Sequence, residues 1–398
     1  MKKLFVILFC GLLLMNLSFD RLVSADDYAE EDNYVQIFSN NSIPVDKKKI
    51  PYINALAAVV IDTRSGRVLY EKQAYSRRSM ASTTKIMTAI VAIEKGNLTD
   101  VVTVSKRAAS IWGSDIKLRE GEKLSLRELL YGLMLKSGND AAIAIAEHIG
   151  GSVEGFCEMM NRKAEELGCK NTNFKSPHGL DMPDHYTTAY ELALITRYAL
   201  NNPTFAKIVA THDTTITGRA LHNTNELLGA YPGADGVKTG YTGQAGRCLV
   251  TSATRSNWKI ISVVLGSPTR NARAESSKSI LDYAFDNYKQ YTILKSGKLI
   301  GKMTVFKGIN GKVPVIATDT ITLPLREDEV NSIKTQVTYP DIMEAPINQD
   351  VEVGSIKFLI DDKIIAESAI KTAEEVKRKD FFDYFGDIIK EWGRIMRN

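Results

Sequence analysis

The residue chemistry of the chain changes at one point, just past Tyr288, and that change limits what the chain can fold into. From about Tyr291 to Ile370 the sequence is rich in Val, Ile and Thr, with turn residues at Gly297, Gly308-Ile309-Asn310-Gly311, Glu327-Asp328 and Asp361-Asp362. β-branched residues between such turns favour short, half-buried strands. Residues 291–370 therefore read as a small all-β domain, a sandwich. The 398 residues leave room for two or three domains.

The stretch before that point, 51–290, mixes both periodicities. Ala57-Ala58-Val59-Val60-Ile61 and Arg67-Val68-Leu69-Tyr70 flank Arg64-Ser65-Gly66, a hairpin signal. Helical patterns follow over 83–94, with Ile86, Ile90 and Ile93 on one face, and over 125–134, 141–149, 153–167 and 187–200. Strands return at 247–251 and 258–265, and 272–288 closes the block as a long amphipathic helix. The expected class is α+β: an antiparallel sheet with helices over its faces, then the β-domain and a terminal helix.

Both ends carry addressing features. Lys2 and Lys3 precede an apolar run from Leu4 to Leu17, and Val23-Ser24-Ala25 offers small residues for cleavage. Residues 1–25 read as a secretory signal peptide, since the run is shorter than the roughly 20 residues that span a bilayer. Cys10 belongs to that signal. Residues 26–50 read as a flexible lead-in. In the last segment, 371–398, Phe381, Phe382, Phe385, Ile388, Ile389, Trp392, Ile395 and Met396 recur at helical spacing from Ala373 onward. From Ala373 to Asn398 acids and bases balance at six each, so apolar insertion would drive docking on a membrane surface. The expected location is outside the cell, at the outer face of the cytoplasmic membrane or in the wall.

A net charge of +4 gives no reason to invoke nucleic acid. Cys157, Cys169 and Cys248 are too few for a disulfide framework and read as free, buried thiols. The five histidines are scattered along the chain without metal-ligand spacing, so neither a metal nor another cofactor is expected.

Chemistry enters with three short motifs. Ser-x-x-Lys, Ser-x-Asn and Lys-Thr-Gly together form the set found in penicillin-binding proteins and class A β-lactamases. Ser-x-x-Lys alone means little, since it occurs at Ser82/Lys85, Ser114/Lys117, Ser256/Lys259 and Ser368/Lys371. Only Ser82 opens an amphipathic helix, where the i, i+3 spacing puts hydroxyl and amine on one face. Only Ser82, Ser137 and Lys238 stand in the right order within one domain. Serine needs a base to become a nucleophile. Lys85 can serve if burial and a second cation, Lys238, pull its pKa far below ~10.4. Asn139 would hold Lys85, and Ser137 would relay a proton to the leaving amine. Lys238 and Thr239 would bind the carboxylate that ends a D-Ala-D-Ala peptide or decorates a penicillin. Gly240 would keep the strand edge open to substrate. Backbone N–H groups of Ser82 and Tyr241 would form the oxyanion hole.

The local sequences go further than bare motifs. Ser82-Thr83-Thr84-Lys85-Ile86-Met87-Thr88, Lys136-Ser137-Gly138-Asn139-Asp140-Ala141, Pro177-His178-Gly179-Leu180-Asp181 and Asp235-Gly236-Val237-Lys238-Thr239-Gly240-Tyr241-Thr242 resemble the low-molecular-mass penicillin-binding proteins, the serine-type D-alanyl-D-alanine carboxypeptidases. The resemblance implies a β-lactamase/transpeptidase-like catalytic domain, a C-terminal β-domain and an amphipathic membrane helix. It also implies peptidoglycan pentapeptides as substrates and β-lactam antibiotics as acylating ligands. Tyr241 stands where some relatives carry His, which bears on substrate preference. A β-lactamase would need a loop glutamate, and 177–186 has none. A transpeptidase or endopeptidase on the same site stays open, as does a non-catalytic wall-binding scaffold. His178 and Asp181 read as loop-shaping, Arg270 and Arg273 as ordinary first-turn arginines, and Cys248 as core.

Overall fold

The computed structural model describes residues 35–37 and 50–396. The expected signal peptide lies outside the described residues. Within the lead-in read as flexible, Val35–Ile37 is a short strand, antiparallel to Lys334–Thr338. No helix among the described residues is long and apolar enough to cross a membrane.

The first domain is built on a five-stranded antiparallel sheet. Its strands are β1 (Ala57–Asp62), β2 (Val68–Lys72), β3 (Ala234–Thr242), β4 (Gly246–Arg255) and β5 (Trp258–Ser267), in the order β2-β1-β5-β4-β3. β1 is an unbroken apolar run because both of its faces are buried. Ala57, Val59 and Ile61 face the larger core, while Ala58 and Val60 face the smaller one. Helices α1 (Lys85–Lys95), α2 (Leu126–Leu135), α3 (Asn139–Gly150), α4 (Val153–Glu166) and α5 (Ala189–Leu200) make up the block on the first face. Helix α6 (Arg270–Asn287) covers the other through Ile280, Leu281 and Ala284. α1 is apolar almost all round, and every residue from Lys85 to Ala92 is buried. The three-isoleucine face seen in sequence is only part of that surface. This helix is the axis of the domain.

Lys289–Leu294 begins the second domain. Seven described strands form one sheet, and Lys289–Leu294 pairs with Ile321–Leu325 in a separate ribbon. Side chains of both, among them Met303, Val313, Leu323 and Leu325, share one core, as in a sandwich. The domains meet at the β1–β2 turn. There Arg67 donates to the Pro324 carbonyl at 2.6 Å and pairs with Glu329 at 2.7 Å.

The terminal helix starts later than the sequence suggested. The strand Lys363–Thr372 runs past 371, and Val376 bridges to Ile347. Asp380 then caps α7 (Phe381–Ile395) in a reciprocal capping box with Asp383. None of its residues is buried, and its aromatic and aliphatic side chains stand exposed.

Candidate active site

Ser82 sits on a 3-10 turn, Ala81–Thr84, that runs directly into α1. Ala81 takes a left-handed φ of 49°, which turns the chain sharply. Side-chain bonds hold the turn: Thr83 Oγ1 donates to Met80 O at 2.6 Å and Thr84 Oγ1 to Ala81 O at 2.8 Å. The 177–181 loop packs close against it. Gly179 has φ of 87°, and a Cβ there would collide with the Ala81 carbonyl. On the sheet side, a Cβ at Gly240 would lie 3.0 Å from Ser82 N and 3.1 Å from Ala81 Cβ. Glycine is thus what lets edge strand β3 lie beside the Ser82 backbone.

Lys85 is fully buried, and its Nζ has three neighbours: Ser82 Oγ at 3.0 Å, Asn139 Oδ1 at 2.8 Å and the His178 carbonyl at 2.7 Å. Burial pushes its pKa well below the usual lysine value. Lys238 pushes the same way, and Asp140 opposes. Lys238, 1% exposed, donates to the Thr239 carbonyl at 3.0 Å. Burial, with Arg273 nearby, lowers it to about 7. Ser137 is buried with a left-handed φ of 62°, and its Oγ has no hydrogen-bond partner among the described residues. A polar atom left so at a strained position is free to bond a ligand. Ser82, Ser137, Thr239, Gly240 and Tyr241 line one cleft of about 530 Å³.

Residues 45–269 match the D-alanyl-D-alanine carboxypeptidase family, and 288–378 match the C-terminal domain of penicillin-binding protein 5. The chain belongs to the D-alanyl-D-alanine carboxypeptidase family. The D-alanyl-D-alanine carboxypeptidase DacF of Bacillus subtilis (strain 168) is 37% identical over 352 residues, 86% of this chain and 90% of the relative. The solved penicillin-binding protein 5 of Haemophilus influenzae is 33% identical with a TM-score of 0.74, covering 83% of this chain and all of the other. A mutant of the Streptomyces K15 DD-transpeptidase is 38% identical with a TM-score of 0.58, covering 60% of this chain and all of that one.

Several groups in this family site escaped the sequence reading. Asp140 accepts backbone N–H bonds from Ile116, Leu118 and Ala141 at 2.9–3.0 Å. It thereby straps the 111–118 loop to the start of α3. Asn139 completes the strap: its Nδ2 donates to the Trp112 carbonyl at 2.8 Å and its backbone N to the Ser114 carbonyl at 2.7 Å. Ser114, one of the Ser-x-x-Lys matches outside an amphipathic helix, lines the cleft, while its Lys117 is exposed and pairs with Asp115. Arg273 also corrects expectation. It is 4% exposed, forks onto Glu226 at 2.6 Å and lines the cleft with Arg270. Its partner lies 47 residues earlier, beyond any local pattern.

Other readings keep their plain roles. His178 Nδ1 accepts from Leu180 N at 3.1 Å, and burial holds the ring neutral with its pKa lowered to about 3. Asp181 ties the end of β3 through Thr242 at 2.7 Å. The three described cysteines are free and buried. The histidines are not scattered in space, however. His212 and His222 meet at Asp213, with ligand-type atoms of all three within 4.8 Å.

Proposed function

We propose that the chain is a serine-type D-Ala-D-Ala carboxypeptidase that trims the terminal D-alanine from peptidoglycan pentapeptides through an acyl-Ser82 intermediate. The carrying observation is the set of three partners around Lys85 Nζ. A neutral amine has two N–H donors and one lone pair. Asn139 Oδ1 and the His178 carbonyl are acceptors only and take the two donors. The lone pair is left for the Ser82 hydroxyl proton. Burial and Lys238 keep the amine neutral, which makes it a base.

In this reading the terminal carboxylate lies against Lys238 and Thr239, with Arg273 adding positive potential behind them. Ser82 Oγ attacks the penultimate carbonyl as its proton passes to Lys85. The oxyanion forms between the backbone N–H groups of Ser82 and Tyr241. Ser137 relays the proton taken up by Lys85 to the departing D-alanine amine, donating its own proton as it accepts the one from Lys85, and water then hydrolyses the ester. A β-lactam acylates by the same steps, but its leaving amine stays tethered. No glutamate in 177–186 activates water, so the drug stays bound. Fluorescent penicillin is expected to label Ser82 stoichiometrically and for long times, and S82A to lose both labelling and D-alanine release. A labelled S82A protein, or rapid drug turnover, defeats the assignment. Likeness to a DD-transpeptidase favours one rival. Mass spectrometry of pentapeptide products separates loss of one alanine from cross-linking.

Export and membrane association belong to the same reading. The Leu4–Leu17 run supports secretion, and the exposed apolar face of α7 supports docking on the outer membrane surface. Its domain plan keeps the order signal, lead-in, catalytic domain, β-domain and terminal helix, with the β-domain strands beginning at Lys289 rather than 291 and running to Thr372 rather than 370.

A further inference from the structure

The rim of the cleft carries side chains that acyl transfer leaves unused. His212 leads into the strand Asp213–Ile216, which pairs with Arg219–His222. Hairpin register sets Asp213 directly opposite His222. Both imidazoles aim at one carboxylate: His212 Nδ1 lies 2.6 Å from Asp213 Oδ2, and His222 Nδ1 lies 2.6 Å from Oδ1. The rings stand edge to face with centroids 4.8 Å apart. The backbone beneath them is anchored, since buried Asn223 donates its N–H to the His212 carbonyl at 2.8 Å and its Nδ2 to the Thr211 carbonyl at 3.0 Å. His212 and His222 line the same cleft as Ser82 and Thr239.

We propose that His212, Asp213 and His222 form a binding site for a divalent transition cation of the zinc class at the mouth of the catalytic cleft. Two imidazole nitrogens and one carboxylate oxygen form a donor set suited to such an ion. Three protein ligands leave a fourth position open to water on the cleft side. The ion takes the place of the two hydrogen bonds between the Nδ1 atoms and the carboxylate. Bonds of about 2.0–2.1 Å in a tetrahedron separate the ligand atoms by roughly 3.3 Å. The present 2.6 Å spacing reaches that value by small rotations of exposed side chains, without moving the hairpin backbone. Calcium and magnesium fit poorly, because they want shells of oxygen.

The test uses the full mature chain without a histidine tag, titrated with Co²⁺ as a visible-absorbance probe and then with Zn²⁺. The expected result is one saturable equivalent of cobalt, displaced by one equivalent of zinc. H212A and H222A each weaken binding by at least about tenfold. H148Q, which alters an exposed histidine paired with Asp100, leaves it unchanged. Melting curves matching the parent establish that the variants are folded, and D213N supplies an independent ligand loss. Absence of saturable 1:1 binding, or binding that survives both histidine substitutions, overturns the site. The readout is independent of catalysis, so it fails or succeeds separately from the carboxypeptidase assignment.

Discussion

At the scale of the residue, the proposed mechanism asks opposite work of two buried lysines. Lys85 is useful only without its proton, and Lys238 only with one. Burial lowers both, and among the described residues neither forms an ion pair with a carboxylate that would restore it. The rate of penicillin acylation should therefore rise with pH as Lys85 deprotonates. It should fall again as Lys238, held at about 7, loses its charge and its hold on the carboxylate. In K238Q the falling limb disappears and acylation slows by roughly a hundredfold, the order expected when a buried charge contact is lost. Removing that cation also relieves the pressure on Lys85, so the rising limb moves to higher pH. A rising limb that stays in place in K238Q contradicts the coupling. The proposed base was legible in the motif. Its third partner, the His178 carbonyl, was not, because a main-chain oxygen 93 residues away has no side-chain signature.

At the scale of the element, the site is a meeting of three segment ends: the turn before α1, the start of α3 and the edge of β3. Apolar period marked α1, α3, β1, β2 and β5 to within a few residues, whereas the edge strand β3 was read only from its Lys-Thr-Gly motif. Short pieces left no such trace. The helix Pro203–Ala210 and the hairpin of Asp213–Ile216 with Arg219–His222 lack enough turns or alternations to be read. Asp140 shows what holds the ends together, since its carboxylate gathers three backbone donors. D140N turns an amide toward those donors, which costs about 1–3 kcal/mol of stability. Loosening of Asn139 should slow acylation about tenfold. Asp140 also pulls the Lys85 pKa upward, so the rising limb should move to lower pH in D140N. A purely structural role would lower the melting temperature and leave that limb where it was.

At the scale of the whole molecule, the catalytic domain sits on a β-domain from which an unpartnered amphipathic helix extends. Charge balance in that helix predicts binding to neutral as well as anionic vesicles. A chain ending at Lys379 keeps the Val376–Ile347 bridge and removes α7. It should label with penicillin normally and no longer sediment with vesicles; sedimentation of the truncated chain removes the helix from the account. Sequence by itself determined the α+β class and the change of architecture near Tyr288, and it singled out the proposed nucleophile, base and carboxylate-binding strand, because periodicity and motif spacing are local properties. Only the tertiary structure decided that Arg273 is buried against Glu226, that Ser114 lines the cleft, that α7 begins at Phe381, and that two histidines on one hairpin share a carboxylate. Those facts depend on which surfaces are covered and which chain segments cross, and burial is a property of the packed chain that no window of sequence contains.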